Sequence, residues 1–375
     1  MAIQSNASRT KPLMNVLFRA DASIEMGTGH IMRCLTLANA LKERGVQCHF
    51  ICREHKGHLI PLLIEHGHSV HSLTTRFPQM KDEHTSDDSQ LAHASWLGCS
   101  QTSDAHLCQS IAQEIQPDWL VVDHYALDIQ WQRLLRPHCS KLMVIDDLAD
   151  RQHDCDLLLD QTFGRDTDDY RPLVPQDCQL LCGAEYALLR PEFSQWRSYS
   201  LKRRKHGPLE HLLINLGGVD KDNITGQILT ALTTGTLPKS CQITVVMGTT
   251  APWIKEVKQQ ATEIPWPTQV KVGVSNMAEL MANSDLAIGA AGATSWERCC
   301  LGLPTIMLVL ADNQSTIANR LQKAGAAAVL QKDFHEQSLT ELIGAVQKDQ
   351  KTFVKHAQYI CDGIGVQRVL ELLST

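Results

Sequence analysis

The strongest constraint on the fold of this chain is an alternation of short apolar runs with helix-spaced segments, which stops once and then starts again. "MNVLFRA" (14–20) is apolar throughout, as a strand buried on both faces would be. "HIMRCLTLANALKERG" (30–45) spaces its apolar residues for one helical face and ends at Gly45, placed as a C-cap. "VQCHFICRE" (46–54) reads as the next strand, and 58–73 as a helix, a turn at Gly67 and a strand. A β-α-β-α-β order implies a parallel sheet covered by helices. After a polar stretch at 74–104, expected to be mostly exposed loop, the order resumes. A helix and Pro117 precede the strand "DWLVVDHY", "WQRLLRPHC" reads as a helix, and "KLMVIDDLAD" and "CDLLLDQTFG" as strands. The pattern breaks around 195–210, in "SQWRSYSLKRRKHGPLE", and restarts with "HLLINLGGVD" (211–220).

With 375 residues the chain exceeds the roughly 250–300 at which single cores stop growing, so two halves are expected. The class read from the pattern is α/β, with two Rossmann-like, doubly wound parallel sheets facing a cleft. The divisions expected are 13–203, 208–350 and a helical tail at 351–375. In such sheets, ligands lie beyond the carboxyl ends of the strands. The polar residues at 19–30, 123–125, 146–147 and 160–164 all fall at such ends.

Composition narrows the partners. A net charge of −6 and only 5% aromatic residues argue against nucleic-acid binding. The one basic cluster, "LKRRKHG" (201–207), is short and reads as a solvated connector. The opening "MAIQSNASRTKPLM" lacks an apolar core, and no run approaches the ~18 apolar residues of a membrane span. Membrane insertion is therefore not expected. Thirteen scattered cysteines without a CxxC pair suggest a reduced, cytoplasmic protein with thiols used as small buried hydrophobes. Seventeen histidines show no ligand spacing with the cysteines, and adjacent Asp146 and Asp147 do not make a metal motif, so no metal or other cofactor is expected.

Two loops carry the chemistry. In "GAAGATSWERCCLGLP" (289–304) a strand enters Gly292–Ala293–Thr294–Ser295 and then a helix. Small residues let backbone N–H groups approach an anion, and the helix start favours negative charge. Thr294 and Ser295 would cap the helix or bind phosphate oxygens, and without a P-loop lysine a nucleoside triphosphatase is disfavoured. The alternative is a tight turn packed by small side chains. Glu297 is within reach of a ribose, or else simply complements the helix dipole. Gly217 and Gly218, in "NLGGVD", would add to a surface for a diphosphate. Met277 packs on a base or in the core, while Asn313 and Gln314 meet sugar groups or cap a helix.

The other loop is "GTGHIMRC" (27–34), where Gly27, Thr28 and Gly29 bend the chain toward His30 at a helix start. A helix N-terminus keeps a histidine neutral, the state required of a general base.

These stretches, with "RADASIEMGTGHIMRCLTLANAL", "VVDHY", "VIDDLADRQHDCDLLLDQ", "SNMAELMANSDLAIGAAGATSWERCCLGLP" and "ADNQ", resemble over roughly residues 14–350 the UDP-sugar hydrolases of pseudaminic acid biosynthesis. That family makes a nonulosonic acid used in flagellin glycosylation. The resemblance implies a GT-B fold, similar to the peptidoglycan N-acetylglucosaminyltransferase. It implies inverting removal of UDP from UDP-2,4-diacetamido-2,4,6-trideoxy-β-L-altropyranose, with water and the UDP-sugar as partners and a monomer or weak oligomer as the state. It makes His30 the base, puts Glu297 on the ribose and Asn313 by the sugar, and lines the substrate with Gly27, Gly217, Gly218 and Gly292. Gly29, Arg19, Asp21 and the second-tier Asp123 and Tyr125 complete the expected site. A glycosyltransferase, an epimerase and a non-catalytic UDP-sugar sensor remain the alternatives. The stretch 76–100 and the first dozen residues are longer than the family needs.

Overall fold

A computed structural model describes residues 14–74, 91–204, 208–233, 235 and 237–374. The first sheet contains β1 (Asn15–Ala20), β2 (Gln47–Arg53), β3 (Ser69–Leu73), β4 (Trp119–Asp123), β5 (Lys141–Ile145), β6 (Leu157–Asp160) and β7 (Gln179–Cys182). Its spatial order is β3-β2-β1-β4-β5-β6-β7, parallel throughout. The second contains β8 (His211–Asn215), β9 (Gln242–Met247), β10 (Thr268–Val272), β11 (Leu286–Ala290), β12 (Thr305–Leu308) and β13 (Ala328–Leu330). These run parallel in the order β10-β9-β8-β11-β12-β13.

Helices cover both faces of each sheet, which is why the central strands are apolar without interruption. Alternate residues enter opposite cores: Val16, Phe18 and Ala20 point one way and Leu17 the other. Likewise Leu212 and Ile214 oppose Leu213. Each sheet reverses its winding once, between β1 and β4 and between β8 and β11. Loops leaving neighbouring strands part at such a point and open a crevice at the strand ends. Both chemistry-bearing loops leave these strands.

The connector expected at 195–210 needs correction. Pro191–Arg203 is a helix that lies on the second half. The Arg197 guanidinium donates to the carbonyls of Cys300, Cys361 and Gln358. Arg203 pairs with Asp285 at 2.6 Å, and buried Arg204 donates to the carbonyls of Met281 and Ser284. Arg203 and Arg204 of the basic cluster are thus committed to packing, Lys202 is exposed, and 205–207 lie outside the described residues. The tail crosses in the opposite direction. Val366, Val369, Leu370 and Leu373 of the helix Gly365–Leu373 enter the first core, and Trp119 Nε1 donates to the Leu373 carbonyl. A strand unforeseen in the sequence, β7, completes the first sheet's edge.

Beneath the first crevice lies a sealed ion network. Arg19 donates to both oxygens of Asp104 at 3.1 and 2.8 Å and pairs with Asp21 at 2.8 Å. Arg53 Nη2 and Trp131 Nε1 also donate to Asp104, at 2.7 and 3.0 Å. Removing one partner from such a cluster strands charge in a low-dielectric interior. The expected result for Asp104→Ala is a loss of roughly 3–5 kcal/mol of stability, read as a fall in the urea midpoint.

Candidate functional site

The loop Asp21–Thr28 leaves β1 and folds back on itself, with Gly27 N donating to the Ser23 carbonyl at 2.9 Å. Gly27 takes φ +78°, which glycine adopts without strain. Gly29 has ordinary φ, and no atom lies within 4 Å of where its Cβ would stand, so its smallness leaves room over the backbone. The helix Gly29–Glu43 then carries His30 and Arg33 to the end of β4.

There Asp123 is fully buried and holds both side chains. His30 Nδ1 lies 2.6 Å from Asp123 Oδ1. Arg33 donates through Nε to Oδ2 at 2.6 Å and through Nη2 to Oδ1 at 2.7 Å. Burial alone would raise the Asp123 carboxyl, but Arg33 and then His30 outweigh it and hold it well below the usual carboxylate range. An ionised carboxylate only accepts, so the proton in this contact sits on His30 Nδ1, and the ring is oriented with Nε2 on its other side. Arg33 also reaches Asp147 at 2.9 and 3.2 Å, and the Tyr125 hydroxyl donates to Asp147 Oδ1 at 2.8 Å. The Tyr125 ring meets His30 edge-on, with centroids 4.6 Å apart.

This packing gives several of the expected ligand residues partners within the protein. Arg19 and Asp21 are fully buried in the ion network and brace the loop from below. Asp123 stands behind His30, and the Tyr125 hydroxyl is spent on Asp147. Asp147 thus serves as a loop contact, and so does Asp146, which accepts from the amides of Leu148 and Ala149 and pairs with Arg151.

In the second half, Gly217 has φ +89° and open space around it. A Cβ on Gly218 would stand 3.1 Å from Thr28 Oγ1, so the glycine loop after β8 lies against the loop that leads into His30. The halves also meet where Arg320 donates to the Phe163 carbonyl at 3.2 Å. After β11 the chain turns through Gly292 and exposed Ala293 into the helix Thr294–Cys300. Neither Thr294 nor Ser295 caps this helix. Buried Arg298 donates to both hydroxyls, at 3.1 and 3.2 Å, and to the Ala290 carbonyl at 2.7 Å. Ser295 is fully buried and supports the loop from beneath, whereas Thr294 is half-exposed. Glu297 sits half-buried in the first turn, and burial raises its carboxyl above the ordinary value despite Arg190 and Arg298 nearby.

Met277 packs partly buried against the second half's core, and Asn276 donates to Glu279 rather than capping the helix backbone. Gln314 Oε1 accepts from Leu310 N at 3.0 Å, and the Asn313 side chain lies outside what is described. So does 75–90 of the polar stretch, while Ala94–Leu97 beyond it form a short 3₁₀ turn. Sequence reasoning missed Arg33, Arg298, His93 and Trp96. The first two had a trace, as cations one turn into helices that follow functional loops. Among the described residues no cluster of three or more His, Cys, Asp or Glu side chains suits a metal ion, and no helix is long and apolar enough to cross a membrane.

Two parallel-sheet halves with loops meeting at their strand ends define a GT-B protein, and comparison with known proteins agrees. Residues 216–359 match the glycosyltransferase family 28 C-terminal domain. The chain is similar to the UDP-2,4-diacetamido-2,4,6-trideoxy-beta-L-altropyranose hydrolase of Campylobacter jejuni, with 28% identity over 83% of this chain and 97% of that one. It is 25% identical to an uncharacterized protein of Methanocaldococcus jannaschii over 79% of this chain, and spans about 55% of that longer protein. Among solved structures, Acinetobacter baumannii MurG superposes with a TM-score of 0.69 at 16% identity, covering 96% of this chain and 99% of that one.

The Asp146 corner sets a pH limit on stability. His153 is buried beside Asp146 and Arg151, and its Nδ1 lies 3.0 Å from Gln132 Nε2. Burial pushes the imidazole down from 6.5 to about 4, despite the Asp146 charge. Stability from the neutral ring is complete above the unfolded value and is lost as pH falls toward the folded one, by about 3 kcal/mol in all. Urea midpoints between pH 7 and 4.5 should fall less steeply for His153→Leu than for the parent chain.

Proposed function

We propose that this chain is an inverting nucleotide-sugar hydrolase, which releases UDP from UDP-2,4-diacetamido-2,4,6-trideoxy-β-L-altropyranose in the route to pseudaminic acid. The fold and the similarities are those of a UDP-sugar-acting enzyme. The observation that carries the hydrolytic reading is the His30–Asp123–Arg33 arrangement. It fixes an imidazole through Nδ1 on an ionised carboxylate and leaves Nε2 as the nitrogen available to a substrate, beside the glycine loop of the other half.

In this reading the diphosphate lies on the main-chain amides around Gly217, Gly218, Gly292 and Ala293, with Thr294 as a hydroxyl donor. Glu297 accepts from ribose hydroxyls, Met277 borders the nucleotide, and Asn313 and Gln314 face the sugar. Water attacks C1 from the side opposite UDP, the C1–O bond breaks, and its electron pair leaves on the β-phosphate. His30 Nε2 takes the water proton, and Asp123 stabilises the imidazolium that forms. Oriented N–H groups stabilise the charge gathering on the leaving diphosphate. UDP is a good leaving group, so no general acid is called for.

The family 28 match favours one second reading, transfer of the sugar to an acceptor other than water. UDP release from the purified UDP-sugar with no acceptor, followed by the anomeric proton in NMR, separates the two. Prompt release with the opposite anomer appearing first supports hydrolysis, and no release without an acceptor supports transfer.

A positioned general base is worth about 10²–10⁴-fold. His30→Ala should lose turnover by that factor while calorimetry shows UDP-sugar binding largely kept, and unchanged turnover would remove His30 from the role. Asp123→Asn should lower kcat by at least about 10²-fold with little change in KM, since it disturbs the imidazole and not the nucleotide loops.

A further inference from the structure

The His30 side chain is only 7% exposed, although a base must be reached by its nucleophile. Part of its cover is an aromatic wall built outward from the ring. Tyr125 meets His30 edge-on at 4.6 Å. Trp96 stacks on Tyr125 with centroids 5.8 Å apart and planes 29° from parallel. His93 lies 5.3 Å from Tyr125 and 4.3 Å from Trp96, closing the group. The Arg151 guanidinium sits over the Tyr125 ring at 5.9 Å.

The outer part of this wall is anchored. Leu97, next to Trp96, is buried in the core of the first sheet. Gly98 follows at φ +75°, and a Cβ there would stand 3.2 Å from the His55 ring and 3.6 Å from Arg53 Cδ. His93 and Trp96 are half-buried, so they form the solvent side of the cluster while Tyr125 and His30 form its floor.

We propose that Trp96 and His93 restrict the nucleophile at His30 to water. The inference rests on the hydrolase reading above. The second half's loops hold the diphosphate in that reading, so an acceptor approaches from the first half, where the base is. An acceptor larger than water must stand beside the imidazole, where Tyr125 meets the ring and Trp96 and His93 back Tyr125 on the solvent side. If this wall were opened, an alcohol oxygen would attack C1 in place of water. Its proton would pass to His30 Nε2, the C1–O bond to UDP would break with its electrons on the diphosphate, and an alkyl glycoside would replace the free sugar.

The test is the product ratio, which normalises for overall rate. The full chain is given UDP-2,4-diacetamido-2,4,6-trideoxy-β-L-altropyranose with excess ethanol, and free sugar and ethyl glycoside are counted by NMR and mass spectrometry. The parent chain and Trp96→Phe should give free sugar almost alone, while Trp96→Ala should raise the glycoside-to-sugar ratio tenfold or more. His93→Ala should move the ratio the same way and carries the test if Trp96→Ala does not fold. A ratio unchanged in the alanine variants overturns the proposal, and so does a parent chain that uses ethanol as readily as water. If the parent chain releases no UDP without ethanol, the hydrolase reading itself has failed, and this inference falls with it.

Discussion

Asp123 is the residue on which the candidate site turns. One buried carboxylate accepts two bonds from Arg33 and one from His30, and the Cys34 thiol lies 3.4 Å from its Oδ2. A carboxylate in that position is tolerable only because a cation stands against it, since an unpaired buried charge carries a penalty of several kcal/mol. Arg33 is in turn held by Asp147, which also accepts from Tyr125. Each member therefore fixes its neighbour, and His30 inherits an orientation that a loop histidine would lack. The arrangement exists because β4 lies next to β1 in the sheet, so the helix following β1 passes over the end of β4.

The second half repeats the same placement. Its glycine loops leave β8 and β11, the pair flanking that sheet's reversal. Arg298 stiffens the second loop from within by donating to a carbonyl and two hydroxyls. Its guanidinium is nearly inaccessible, and burial lowers its pKa to about 10, so it serves as a brace and not as a phosphate ligand. In the proposed function, the main-chain N–H groups and the Thr294 hydroxyl are what remains to meet an anion. The two halves are also tied by exchange of helices. Pro191–Arg203 packs on the second half and Gly365–Leu373 on the first, so the relation between the glycine loops and His30 is set by apolar burial as well as by the loops themselves.

Much of this was legible in the sequence. Apolar runs buried on both faces and helix-spaced segments are local signals, and they placed most strands, their ends and both glycine loops. What stayed hidden depends on partners far apart in the chain. Arg33 and Asp147 are 114 positions apart, and nothing local distinguishes their charges from surface ones. Arg19 and Asp21 sit at a strand end, where polar residues suggest a ligand, yet Asp104 arrives from a helix 85 positions later and seals them in. The helix Pro191–Arg203 was obscured because its cations look like solvated charge, whereas Arg197, Arg203 and the Arg204 that follows bind carbonyls or Asp285. The stretch 76–100 read as longer than the family needs, and its described end supplies two rings packed on Tyr125, which itself meets His30.

These features bear on why one fold can serve transfer and hydrolysis alike. Cleaving a diphosphate-linked sugar asks little of the leaving-group side, because charge on UDP is stabilised by amides that any anion-binding loop provides. The demanding side is the nucleophile, where the base must be deprotonated, oriented and selectively reached. In the proposed reading much of the elaboration lies on that side: an ion cluster behind His30, and at its edge Tyr125 backed by further rings. Orientation comes from the charges, through Asp123. Selective access, in that reading, comes from the rings. The two requirements are met by different residues on different elements, so a change in the 91–97 segment can alter which nucleophile enters while the base and its carboxylate remain as they are.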